Sequence, residues 1–127
     1  MVSQPSSPRP ARPGGAERRR WPRAVADLPI TVAVAGSSTP ARVRDVSRAG
    51  VCFYLDRPIP EMTMLDVVLE LHTRAGTKKI HGNGAVVRCA RIAKGVDHYE
   101  IAVFLHDMAD SDRELMAAYV GTRPPAP

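Results

Sequence analysis

From Leu28 onward the chain alternates. Leu28, Ile30, Val32 and Val34 are apolar, and Pro29, Thr31 and Ala33 stand between them. That is period two, the repeat of a strand with one buried face. Gly36-Ser37-Ser38 follows as a turn signal. A second strand is expected over about Ala41 to Val46, with Arg42 and Arg44 on one face and Val43 and Asp45 on the other. A third is expected over Val51 to Leu55, with Val51, Phe53 and Leu55 opposite Cys52 and Tyr54. Arg57-Pro58-Ile59-Pro60 reads as a loop. The clearest pattern comes next. Leu65, Val67, Leu69 and Leu71 share one face, and Met64, Asp66, Val68, Glu70 and His72 share the other. Ala75-Gly76 marks a hairpin turn into a fifth strand, about Lys78 to Ile92. Asn83-Gly84 lies inside that run, although by itself Asn-Gly signals a two-residue hairpin. After Lys94-Gly95, Tyr99, Ile101, Val103 and Leu105 alternate with Glu100, Ala102 and Phe104 in a last strand from about His98 to Leu105.

Phe104 is large and apolar on the nominally outer face, so it is predicted to pack under the element that follows. That element is a helix. Ser111-Asp112-Arg113-Glu114 has the form of a capping box, and Leu115, Met116 and Tyr119 form an apolar stripe at helical spacing, expected to pack on the strands. Gly121 is expected to end it, ahead of a loose tail at Pro124-Pro125. At the other end, Pro5, Pro8, Pro10 and Pro13 break any helix, so residues 1–16 are expected to be disordered. The organisation expected is a tail over 1–16, one domain over 17–121 and a short tail over 122–127.

Composition narrows the class. In 127 residues, 44% hydrophobic content supports one modest core. No run of about 18 apolar residues is present to span a bilayer. Met1-Val2-Ser3-Gln4-Pro5 lacks the apolar stretch of a secretory signal, so a cytoplasmic location is expected. Cys52 and Cys89 fit no metal spacing and are expected to be reduced, small apolar residues. The net charge of +5 is concentrated early, at Arg9, Arg12, Arg18, Arg19, Arg20 and Arg23, against Glu17 alone before Asp27. Such asymmetry implies an acidic partner, either nucleotide phosphate or nucleic acid.

Two short stretches carry candidate chemistry. Arg19 and Arg23 end an R-x-x-x-R, with Trp21 and Pro22 between them. Asp45-Val46-Ser47-Arg48-Ala49-Gly50 reads D-x-S-x-x-G. Each alone has a plain reading. An arginine run is commonly a solvated arm, and Asp-x-Ser commonly a turn whose side chains bond nearby backbone. In this order and spacing, ahead of a β-rich body, they resemble the PilZ domain family, from about Glu17 to Val120. The resemblance implies an all-β fold, a six-stranded antiparallel β-barrel of PilZ type with a short C-terminal α-helix. It implies a bulge or bend at Gly82-Asn83-Gly84, and an aromatic at Trp21, whose plainer role is to anchor the arm on the barrel. It also implies the ligand, the bacterial second messenger cyclic di-GMP, and no cofactor. One departure stands out: Ala102 replaces a glycine that the family often carries in its last strand.

The residue types suit that ligand. Arginine presents a planar bidentate donor to phosphate, reads O6 and N7 of guanine, and can stack on a base. Asp45 supplies acceptors for guanine N1–H and N2–H₂, Ser47 both donates and accepts, and Gly50 permits a positive φ or a close backbone approach. The ligand set implied is Arg18, Arg19, Arg20, Arg23, Asp45, Ser47 and Gly50. In relatives that resemble this chain there, an arginine at the place of Arg18 accompanies an intercalated pair of ligands, with Arg20 as a possible helper here. The expected output runs through an unidentified downstream protein, with no membrane partner. A PilZ protein that has lost its ligand would lack one of the motifs, and both stand here. A nucleic-acid-binding barrel is disfavoured by 5% aromatic content, since single-strand binders present stacking rings. Catalysis is disfavoured too. His72, His81, His98 and His106 are scattered, and Ser47 lacks a G-x-S-x-G setting.

Overall fold

The structure is a computed structural model, and it describes residues 22–95 and 97–123. The expected tail over 1–16, the anchoring role of Trp21, the positions of Arg18, Arg19 and Arg20, and the last four residues lie outside the described residues.

Seven strands and one helix follow one another: β1 (Ala24–Val25), β2 (Pro29–Val34), β3 (Ser37–Ser47), β4 (Gly50–Leu55), β5 (Met64–Thr73), β6 (Gly76–Arg91), β7 (Tyr99–Asp107) and α1 (Asp110–Gly121). All pairings are antiparallel. β3, β2, β5, β6, β7 and β4 are neighbours in that order, and β4 pairs back to β3. Six strands thus close into a barrel, as the resemblance implies. Closure leaves no long edge exposed. β1 was not legible in the sequence. It is two residues long and adds Ala24 and Val25 to β3 opposite Val46 and Asp45. β3 is also longer than its apolar pattern, because Ser37–Arg42 pair with β2 and Arg42–Ser47 with β4.

The inner positions fill one core. Ile30, Val32, Phe53, Leu65, Val67, Leu69, Leu71, Ile101, Val103 and Leu105 are all buried, matching the period-two pattern. Each such side chain contributes about 1.5–3 kcal/mol relative to remaining exposed. Bulges let the sheet curve into closure. At the expected place, Asn83 pairs with Asp107 and Gly84 with Leu105, so the extra residue is His106 on β7. A second bulge leaves Val87 unpaired on β6, since Val86 pairs with Val103 and Arg88 with Ala102.

The helix differs in its start. Ala109 is the N-cap and no side chain caps it, so Ser111 does not form the expected capping box. The Asp112 carboxylate instead accepts the His81 backbone N–H at 3.2 Å. Asp110 and Asp112 in the first turn complement the helix dipole. Met116 and Tyr119 are buried, as the stripe predicts. Arg113 donates to the carbonyls of Arg48 at 2.9 Å and Leu105 at 3.2 Å. The helix therefore covers the barrel end that holds the β3–β4 turn. It does not cover Phe104, which is 49% exposed, contrary to expectation. Phe104 lies on the outer wall between Gly50 and Ala85, facing away from the core side on which Met116 and Tyr119 of the helix pack.

Candidate functional site

The Asp45-to-Gly50 stretch is the end of β3, a two-residue turn and the start of β4. Ser47 and Gly50 pair across it. The Ser47 hydroxyl accepts the Ala49 N–H at 3.2 Å, the local turn bond that a serine there favours. Gly50 is required by crowding and not by a positive φ. A Cβ on it would stand 2.8 Å from the Val103 carbonyl oxygen of the neighbouring strand. The backbone of β7 approaches here closer than any side chain tolerates.

Asp45 does not sit where alternation puts it. Val43 pairs with Phe53, but Asp45 pairs with Cys52, so Arg44 is an extra residue in β3. This bulge turns Asp45 away from the core onto the outer wall, beside Arg44 and Cys52. The expectation that Asp45 faces opposite to Arg44 is therefore corrected. The carboxylate is still only 4% exposed, because guanidinium groups cover it. One Nη of Arg23 lies 3.3 Å from Oδ1 and 3.4 Å from Oδ2. Arg44 Nη1 lies 3.4 Å from Oδ2. The two motifs, 22 residues apart in sequence at these positions, thus meet at one carboxylate.

The contacts continue along the wall. Arg44 Nε lies 3.5 Å from Glu100 Oε2, and Arg88 Nη2 donates to Glu100 Oε1 at 2.7 Å. Arg23, Asp45, Arg44, Glu100 and Arg88 form a ladder of alternating sign. Cys52 is buried beneath it and pairs with Asp45 on one side and Ala102 on the other. Burial pushes its thiol up to about 11, and the Asp45 and Glu100 carboxylates add to that. The Arg44 guanidinium is raised too. Burial alone lowers it, but the Glu100 and Asp45 carboxylates outweigh that effect.

Of the residues the sequence singles out, Arg23 and Asp45 are brought into contact. Ser47 and Gly50 shape the adjoining turn. Arg18, Arg19 and Arg20 lie outside the described residues. Arg44, Glu100 and Arg88 were missed. Arg44 was legible only as an outward charge on a strand, and its approach to Asp45 depends on the bulge. Glu100 and Arg88 come from β7 and β6, whose register against each other carries two shifts. A cavity among the described residues lies elsewhere. It has a volume of about 260 Å³ and opens at the other barrel end, lined by Val32, Val34, Thr39, Leu55, Ile59 and Thr63 among others. It touches neither motif. The ladder is an open charged surface, and its chemistry, not its depth, makes it the candidate site. A surplus of guanidinium over carboxylate beside backbone turns suits a phosphorylated ligand with hydrogen-bonding bases.

Comparisons with known proteins bear on the family and the fold. A family model described as PilZ domain matches residues 17–121. A sequence comparison with curated proteins returns no match. Among solved structures, the Bacillus subtilis inhibitor of motility MotI/DgrA is similar at TM-score 0.73 and 17% identity, over 81% of this chain and 49% of that one. The PilZ domain of YcgR from Escherichia coli, solved with c-di-GMP, is similar at TM-score 0.59 and 15% identity, over 83% of this chain and 90% of that one. PlzA from Borreliella burgdorferi, in complex with c-di-GMP, is similar at TM-score 0.55 and 10% identity, over 84% and 51% respectively. At these identities the likeness establishes the fold. The chain spans about half the length of MotI and PlzA.

Proposed function

This chain belongs to the PilZ domain family, over residues 17–121, and from that premise we propose that it is a receptor for cyclic di-GMP. The observation that carries the reading is the meeting of Arg23 and Asp45 at 3.3 Å. It joins the arginine motif to the D-x-S-x-x-G turn on an accessible wall. Arg19 and Arg23 engage phosphate and guanine, and Arg18 and Arg20 supplement them. Asp45 accepts from a guanine Watson–Crick edge. Ser47 and Gly50 let the ligand approach the turn. The ligand binds as an intercalated pair, on the argument that four phosphates call for the added charge of Arg18. The solved PilZ neighbours YcgR and PlzA, whose structures contain c-di-GMP, support the ligand class.

The activity is recognition without catalysis. It takes place in the cytoplasm, where the messenger is found; among the described residues no helix is long and apolar enough to cross a membrane. Occupancy is relayed to a downstream protein in control of motility, exopolysaccharide or biofilm. The similarity to an inhibitor of motility supports the first of these. Calorimetric titration with cyclic di-GMP tests the reading, with GTP and a short oligonucleotide as controls. Saturable binding of cyclic di-GMP alone is expected. No heat with cyclic di-GMP, or an equal response to the oligonucleotide, overturns it.

A further inference from the structure

Asp45 has two guanidinium partners, and they differ in what else holds them. Arg23 precedes β1, which is held to β3 by two register pairs. Among the described residues Asp45 is the carboxylate it pairs with. Arg44 is also bound to Glu100, and Glu100 to Arg88. The proposed function, on which this inference rests, requires Arg23 to turn toward a ligand phosphate. A carboxylate with 4% exposure cannot lose its counter-charge cheaply. The ladder shows how the loss is avoided. Three arginines face two carboxylates, so one cation is surplus. With Arg23 withdrawn, Asp45, Arg44, Glu100 and Arg88 remain as a balanced, alternating set.

We propose that Arg44, held by Glu100 and Arg88, is a positioning residue that keeps the buried Asp45 carboxylate paired while Arg23 passes to the ligand. None of these three residues belongs to either motif. The bulge at Arg44 is what permits the arrangement, because in a regular strand neighbouring residues point to opposite faces. Arg44 is 33% exposed and Arg88 35%, so the pair holds its place at the wall while remaining in contact with solvent. Asp45 therefore keeps its position and its charge in both states, ready to accept from a base.

Two measurements test this. The first uses no ligand. Arg23→Gln and Arg44→Gln each leave Asp45 one guanidinium, so each should lower Tm by only a few degrees. The double variant strands the charge and should fall at least ~10 °C beyond the sum of the two. If the double variant does not fold, adding Asp45→Asn must restore folding, since the stranded charge is then gone. Additive melting shifts, or no restoration, overturn the pairing. The second measurement is calorimetric titration with cyclic di-GMP. Arg44→Gln should weaken binding about tenfold or more in the parent, the scale of one charge-assisted contact. In the Asp45→Asn background it should cost less than about twofold. Equal losses in both backgrounds would mean that Arg44 acts on the ligand directly, and overturn the positioning role. A parent that does not bind cyclic di-GMP at all overturns the function reading and the hand-over with it. The melting comparison then still decides the pairing by itself.

Discussion

Replacing Asp45 by Asn separates what this residue does for the fold from what it does for a ligand. The substitution keeps shape and one acceptor oxygen, and removes a charge. For stability, two effects oppose. The carboxylate gains attraction from Arg23 at 3.3 Å and Arg44 at 3.4 Å, and it bears the cost of being 4% exposed. Its partners are 24% and 33% exposed, so solvent screens much of the attraction. Burial cost and attraction disappear together in the Asn variant, and Arg44 keeps Glu100. The net change in stability should stay within about 1 kcal/mol, or ~4–8 °C in Tm for a domain of this size. For binding there is no such cancellation. A charged acceptor bond is worth about 1.5–3 kcal/mol, so affinity for cyclic di-GMP should fall roughly 10- to 150-fold. The assay is paired calorimetric titration and thermal melting of parent and variant. Unchanged affinity with an intact thermal transition would refute the reasoning and leave Asp45 as a structural partner of Arg23 and Arg44.

Arg19→Ala and Arg23→Ala should each weaken cyclic di-GMP binding by more than about tenfold in the same titration, since each removes at least one charge-assisted bond; parent-like isotherms would make the arm solvated charge only. The parent should bind two ligands per chain and Arg18→Leu should shift the ratio toward one, read from calorimetric stoichiometry; a ratio of one in both would contradict the paired mode. Stability should fall between about pH 9 and 11. The folded Cys52 thiol is held near 11, above its ordinary value, so the neutral form stabilises the fold below that window and the gain is lost as pH rises through it. Denaturant melts of Cys52→Ala should show a flatter dependence across that window, and identical slopes would contradict the burial argument.

The strands were legible because a closed barrel with one filled interior imposes period two on nearly every strand. Leu65, Val67, Leu69 and Leu71 could only face inward together, and they do. The failures share a cause. Bulges shift register by one residue, and a shift of one turns a side chain to the other face. Arg44 is such a residue, so Asp45 was assigned to the wrong side of β3. The bulge near Gly84 was expected, but its extra residue is His106, on a strand whose own sequence shows no interruption. Gly84 is nonetheless where the β7 backbone presses closest, and a Cβ there would collide with the Phe104 carbonyl. The capping box failed because the helix starts earlier, with Ala109 as its N-cap, so Ser111 lies inside the first turn. Arg23 and Asp45 were legible as types and as motifs. Glu100 and Arg88 were not, because only the closed sheet brings them beside β3.

The site thus has two halves of different mechanical character. Asp45, Arg44, Glu100 and Arg88 project from β3, β7 and β6, members of a closed sheet: Glu100 is held by ladders on both sides, Asp45 is paired with Cys52 of β4, and Arg88 is paired with Ala102 of β7. The turn beside them is fixed as well, by Arg113 bonding the Arg48 carbonyl and by the Ser47 hydroxyl. Arg23 enters from outside this frame. Its backbone is held by the two β1 pairs, by the Ala26 N–H bonding the Arg44 carbonyl at 3.2 Å and by the buried Ala24 and Ala26, so it is the Arg23 side chain that is free to change partner. A partly exposed side-chain contact can be exchanged for ligand contacts at small net cost, whereas the barrel cannot be rearranged without losing its core. Affinity then depends on how little the rigid half must change, because order already present in the receptor is not lost again on binding. The surplus positive charge lies in the half that can move. The acceptor that must read a base lies in the half that cannot.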